Sequence, residues 1–195
     1  MTLTAGVIAV QGAVRAHADA FSRFGEAVER EVHVEPVRTA GIIPRCDVIS
    51  IPGGESTTIS RLIDQQGLSE ELRAHVAKGK PILATCAGLI VLAANSGDER
   101  VTTLDLLDIE IERNAFGRQR DSFEASIDIE GLDRPFPGVF IRAPVVSDPR
   151  DTEVLAIHEG QIVAVRAGAI IATAFHPELT TDPRIHVLAF GAAAR

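Results

Sequence analysis

Short apolar runs and helical repeats alternate along the first half of this 195-residue chain. Val7-Ile8-Ala9-Val10 reads as a buried strand ending at Gln11-Gly12, and Ala13 to Phe24 follows with Val14, Ala18, Phe21 and Phe24 on roughly one helical face. Glu31 to Val37 alternates as a second strand, and Val48-Ile49-Ser50-Ile51 gives a third, closed by Pro52-Gly53-Gly54. Ser56 or Thr57 is placed to cap a helix running to about Gln66, which Gly67 stops. A helix over Ser69 to Lys78 precedes a fourth strand, Pro81 to Thr85, that runs straight into Cys86-Ala87-Gly88. Strands that are apolar throughout, separated by helices, belong to a mostly parallel sheet covered on both faces: a three-layer α/β fold.

The second half changes rhythm. Apolar segments near Ile109 to Ile111, Phe123 to Ile129, Val139 to Ile141, Val154 to His158, Gln161 to Val165 and Ala169 to Ala174 are shorter, with Gly and Pro between them. Glu159-Gly160 reads as a hairpin turn, so an antiparallel region is expected here. A last helix is expected from about Pro183 to Ala194. With no internal repeat or linker, residues 1–195 are expected to form one domain.

Composition narrows the function classes. Hydrophobic residues make up 46% and charged residues 24%, enough for a full core. The net charge of -8 argues against nucleic acid, whose binders carry a basic face. Lys78 and Lys80 are the only lysines, a skew that fits either a high-salt cytoplasm or a genomic base composition. Cys46 and Cys86 make neither a disulfide scaffold nor a zinc ligand set. Met1 to Val10 lacks the pattern of a signal peptide, and no apolar run reaches the roughly 18 residues of a membrane helix. The expectation is a cytoplasmic protein with no membrane contact.

Candidate chemistry gathers where strands end. Cys86, in Ala84-Thr85-Cys86-Ala87-Gly88, has the strand-to-helix context of a nucleophile elbow, with the small neighbours a tight turn needs. The helix N-terminus beside it favours thiolate, and its N–H groups suit an oxyanion. A free cysteine is more often inert core, as expected for Cys46, so the reading needs a base. Phe175-His176-Pro177-Glu178 supplies one: His176 as base and Glu178, two residues on, as the acceptor that fixes its tautomer. Taken alone, that string is equally a surface turn. His17 and His186 read as surface or packing residues, and His33, His75 and His158 lack a motif. Pro52-Gly53-Gly54-Glu55-Ser56 opens a helix without the Gly-Lys-Ser/Thr ending of a P-loop. Glu55 suits an ammonium group better than a phosphate, and Arg113 is a complementary clamp for a carboxylate. An amino acid satisfies both; a plain turn and a solvated arginine explain the spacing equally well.

On these residues the chain resembles the class I, triad-type glutamine amidotransferases, and within them the glutaminase subunits of pyridoxal 5′-phosphate synthase. The strings that carry the resemblance are Gly6 to Arg15, Ile51 to Thr58, Thr85 to Ile90, Arg113 to Gln119, Phe140 to Pro144 and Phe175 to Thr180. It covers nearly the whole chain. It implies the flavodoxin-like fold of that class, a triad of Cys86, His176 and Glu178, and glutamine contacts from Gly53, Gly54, Glu55, Arg113, Ile141 and Arg142. It also implies an oxyanion hole of Gly54 and Ala87 and hydrolysis of L-glutamine through a glutamyl thioester, with no metal or organic cofactor. The implied partner is a barrel-shaped synthase subunit in a large hetero-oligomer, docked toward the Gln11-Gly12 loop and switching the enzyme on as the Gly53-Gly54 peptide reorients. The rivals are the glutaminase of another synthase, a cysteine hydrolase or glyoxalase-like enzyme on the same elbow fold, and a non-catalytic flavodoxin-like interaction subunit.

Overall fold

The structure, a computed structural model, describes residues 2–113 and 122–195. Its parallel half runs β1 (Leu3–Ile8), α1 (Val14–Ala27), β2 (Val32–Val37), β3 (Val48–Ile51), α2 (Ser56–Gln65), α3 (Leu68–Ala77), β4 (Ile82–Thr85) and α4 (Ala87–Leu92). The second half adds β5 (Ala93–Asn95), β6 (Leu107–Glu112), β7 (Ser122–Ile127), β8 (Phe136–Ile141), β9 (Val145–Asp148), β10 (Glu153–His158), β11 (Gln161–Ala167), β12 (Ile170–Thr173) and α5 (Arg184–Phe190).

Among the described residues one sheet takes the order β2-β1-β3-β4-β12-β11-β9-β6-β5, with β10 paired to β11, and β7 and β8 form a separate antiparallel pair. From β2 to β12 the neighbours are parallel, with registers such as Ile49↔Ile82 and Ala172↔Ala84; β11 then turns the sheet antiparallel. Every residue of β3, β4 and β12 is buried, so these strands carry no polar alternation. Pro36 is tolerated in β2 because that strand is the sheet edge, where a missing N–H leaves no ladder bond unmade.

The helices flank this sheet: α1 packs on α5, and α2 on α3 and α4. Phe21 and Phe24 of α1 meet Phe190 of α5 at ring-centroid distances of 5.3 and 5.9 Å, with Phe21 stacked on it and Phe24 edge-on. All three rings are fully buried, each worth roughly 1.5–3 kcal/mol in transfer from water. The chain runs out from β1 to β2 and returns to β3 on the other side, so the strand order reverses between β1 and β3. Loops at the carboxyl ends of strands around such a switch point form the crevice in which α/β sheets bind ligands.

Some boundaries differ from the sequence expectation. The first strand is Leu3–Ile8, since its ladder begins at Leu3 opposite Val32 and ends at Ile8 opposite Val37. Ser56 is the first residue of α2 rather than its cap; Glu55 takes the cap position, and the Ser56 hydroxyl is buried with no hydrogen bond among the described residues. The last helix ends at Phe190, with turns beyond it.

Candidate active site

Cys86 stands between β4 and α4 with φ 50° and ψ −104°, a conformation that costs a non-glycine residue about 1–3 kcal/mol. Surrounding packing enforces it. The Cys86 N–H donates to the Thr173 carbonyl at the end of β12, 2.8 Å away. A side chain at Gly88 would run 2.5 Å from the Ile51 carbonyl, so the first turn of α4 sits directly on β3. The expected elbow is there, and the thiol projects over the carboxyl edge of the sheet, where it donates to the Ile141 carbonyl at 3.8 Å. Cys46 is a different case: it lies in the core, and burial pushes its thiol up to about 11.

His176 follows β12, its N–H held by the Val139 carbonyl of β8 at 2.8 Å. The single turn Pro177–Leu179 swings Glu178 back under the ring, and His176 Nδ1 bonds Glu178 Oε1 at 2.7 Å. Burial works against a charged imidazole here, but the adjacent Cys86 thiol and the Glu178 carboxylate outweigh it and push His176 up to about 10. Burial works against the Glu178 carboxylate too; His17 and His176 outweigh it and hold the carboxyl well below the usual range. Nε2 of His176 is buried and makes no hydrogen bond among the described residues.

A small polar cavity of about 90 Å³ opens above Cys86 and Ala87, walled by Gly54, Glu55, Ser56, Arg113, Ile141 and Arg142. Arg142 adopts φ 44°, a second strained non-glycine residue at this wall. Gly53 is not on the wall; it lies behind, where a methyl group would stand 2.5 Å from His176 Cε1 and 3.3 Å from Cys86 Cβ. Its carbonyl accepts from the Ala13 N–H at 3.3 Å, an approach possible because Gly12, at φ 106°, has no side chain to strike that oxygen. The Gln11 side chain accepts from the Glu55 N–H at 3.1 Å, so the loop after β1 braces the loop after β3. Arg113 pairs with Asp98, which Arg100 also grips at 2.9 and 2.7 Å. The rest of that arginine string, Asn114 to Gln119, lies outside the described residues.

Sequence reasoning missed one part of the site. His17, expected at the surface or in packing, is fully buried beneath the row of Cys86, His176 and Glu178, bonded to Ser50 and Thr85 and close to Glu178. The available signal was its place on the apolar stripe of α1, between Val14 and Phe21, which marks burial but not its partners. His186 does pack, against Phe21 and Phe190, and burial lowers it to about 3.

A strained thiol at a strand-to-helix turn thus lies beside a carboxylate-held imidazole that follows a neighbouring parallel strand, on a three-layer α/β fold. Residues 7–190 match the SNO glutamine amidotransferase family. The chain belongs to that family and is an enzyme of the amide hydrolase type. It is 58% identical to the pyridoxal 5′-phosphate synthase subunit PdxT of Halobacterium salinarum, covering 97% of this chain and 94% of the relative. PdxT of Haloarcula marismortui is 59% identical with 97% of each covered, and that of Methanosarcina mazei 52% identical with 93% of this chain and 94% of the relative. A crystal structure of a glutamine amidotransferase superposes with a TM-score of 0.88 at 40% identity, covering 98% of this chain and 99% of the other. The fold alone is shared with PurLQS from Thermotoga maritima, at a TM-score of 0.71 and 14% identity over 98% of this chain and 99% of the other.

Proposed function

We propose that this chain is the glutaminase of a pyridoxal 5′-phosphate synthase, hydrolysing L-glutamine to glutamate and ammonia and passing the ammonia to a barrel-shaped synthase subunit in a large hetero-oligomer. The observation that carries the chemistry is the 2.7 Å His176–Glu178 bond beside the strained Cys86, under a cavity walled by both Glu55 and Arg113. Glu55 receives the α-ammonium of glutamine and Arg113 its carboxylate, with Ile141 and Arg142 completing the wall.

The Cys86 thiolate attacks the side-chain carboxamide carbon. The resulting oxyanion is held by the N–H groups of Ala87, first residue of α4, and Gly54, whose peptide plane is set by the Gly53 carbonyl bond to Ala13. His176, protonated opposite its carboxylate, gives a proton to the departing amine, so the C–N bond breaks as ammonia leaves. A γ-glutamyl thioester remains. Water, losing its proton to the now neutral His176, attacks the thioester; the C–S bond breaks, and glutamate and the free thiol return. A nucleophile that must stay a free thiol suits the reducing cytoplasm.

Cys86→Ala in the assembled synthase is expected to abolish glutamine consumption while pyridoxal phosphate formation from added ammonium salt survives. Glutamine turnover at the wild-type rate by that variant removes Cys86 from the mechanism. Labelling of Cys86 by a diazo-ketone analogue of glutamine separates the enzyme from an inert interaction subunit, in which the thiol stays unmodified.

A further inference from the structure

Beneath the row of Cys86, His176 and Glu178 lies a second polar row that the reaction scheme does not use. His17, on the first turns of α1, is wholly buried. Its Nδ1 stands 2.7 Å from Ser50 Oγ on β3. Its Nε2 bonds Thr85 Oγ1 at 3.2 Å and stands 3.4 Å from Glu178 Oε1, the same oxygen that holds His176. Thr85 Oγ1 accepts in turn from the Gly53 N–H at 3.1 Å. One imidazole therefore touches the acceptor that orients the base and, through one hydroxyl, the backbone of the loop expected to hold the oxyanion.

A carboxylate only accepts, so the nitrogen facing Glu178 carries a hydrogen, and Ser50 takes the role that Nδ1 leaves it. That one N–H is shared between two acceptors, Glu178 Oε1 and Thr85 Oγ1, and the threonine oxygen also accepts from the Gly53 N–H. No solvent reaches this row, so a bond lost here is not replaced by water.

We infer that His17 is a positioning residue for the glutaminase reaction: its Nε2–H fixes the Glu178 carboxylate relative to the Thr85–Gly53 anchor, so that base and oxyanion loop share one frame. The inference rests on the glutaminase reading above. It also gives the start of α1 two holds on the site, the Ala13 N–H on the Gly53 carbonyl and His17 on Glu178.

Steady-state glutaminase kinetics of the assembled synthase carrying His17→Leu, His17→Gln or Ser50→Ala test it. An inactive wild-type complex overturns the glutaminase reading itself; an active one isolates the role of His17. His17→Leu is expected to lower kcat about 10- to 100-fold at nearly constant KM. The acid limb of its kcat profile is expected to rise in pH, because Glu178 loses a donor. The other groups facing that carboxylate stay in place: His176 on its own turn, His186 on α5, and Arg23 of α1, whose guanidinium bonds the Glu178 carbonyl at 2.9 Å. His17→Gln is expected to keep kcat within about threefold of wild type, since its amide nitrogen donates to Glu178 and its oxygen accepts from Ser50. A leucine variant with wild-type kcat and an unmoved acid limb overturns the inference, as does a glutamine variant as impaired as leucine. If the leucine variant does not fold, Ser50→Ala decides: a several-fold loss of kcat at constant KM supports the role, and an unchanged kcat refutes it.

Discussion

Gly53→Ala is a severe test of the geometry, because it adds one methyl group and nothing else. The backbone there is one alanine can adopt, so the effect comes from the methyl itself. That methyl would stand 2.5 Å from His176 Cε1. Carbon atoms settle near 3.5 Å, so the ring has to retreat by roughly 1 Å. It has little freedom to do so, being 6% exposed, bonded to Glu178 at 2.7 Å and tied through its N–H to Val139. Overpacking of this kind costs about 1–3 kcal/mol of stability, and a 1 Å misplacement of a catalytic group costs on the order of 100-fold in rate. Ammonia release by the assembled synthase is therefore expected to show kcat down about 100-fold, KM changed little, and a melting temperature a few degrees lower. A variant with kcat within threefold of wild type would show that His176 is not the group that moves the proton.

Arg113→Ala removes a charge-assisted clamp worth about 1.5–3 kcal/mol, so KM for glutamine should rise roughly 10- to 100-fold; an unaltered KM takes Arg113 out of the pocket. Glu178→Gln leaves His176 without its carboxylate, and kcat should fall on the order of 100-fold or more, with wild-type turnover refuting the orienting role. Truncating Phe190, fully buried between Phe21 and Phe24, should cost about 3–5 kcal/mol in urea unfolding; a loss below 1 kcal/mol would mean that α5 does not seal that face. His75 and His186 are lowered by burial to about 4 and about 3, whereas the unfolded chain titrates near 6.5. Below pH 6.5 the unfolded state then binds more protons, so stability should fall on acidification from pH 6.5 to 5 by up to about 1.4 kcal/mol per unit for each histidine. His176, raised to about 10, acts only above pH 6.5 and in the opposite sense. A flat urea midpoint across that window would refute the burial argument.

How much of this was legible in the sequence depended on range. Strands β3, β4 and β12 stood out because a doubly covered strand is apolar without interruption, and the elbow because Ala84, Ala87 and Gly88 are crowded on both sides. The short strands Ala93–Asn95 and Val145–Asp148 were not legible, since their existence depends on partners far along the chain. His17 escaped for the same reason. Its role is written by Ser50, Thr85 and Glu178, from three separate strand ends, and no local pattern on α1 carries it.

Cys86, His176 and the Gly53 loop hang from the carboxyl ends of β4, β12 and β3, which are neighbours in the most deeply buried part of the sheet. Such strands open only when the whole domain opens. In a denaturant titration, turnover and the core's circular dichroism should therefore vanish over the same narrow range, while amides of the outer ribbon around β5 and β6 exchange with deuterium earlier. The enzyme has tied its chemistry to its most cooperative unit, so partial damage at the rim of the sheet leaves the reaction centre assembled.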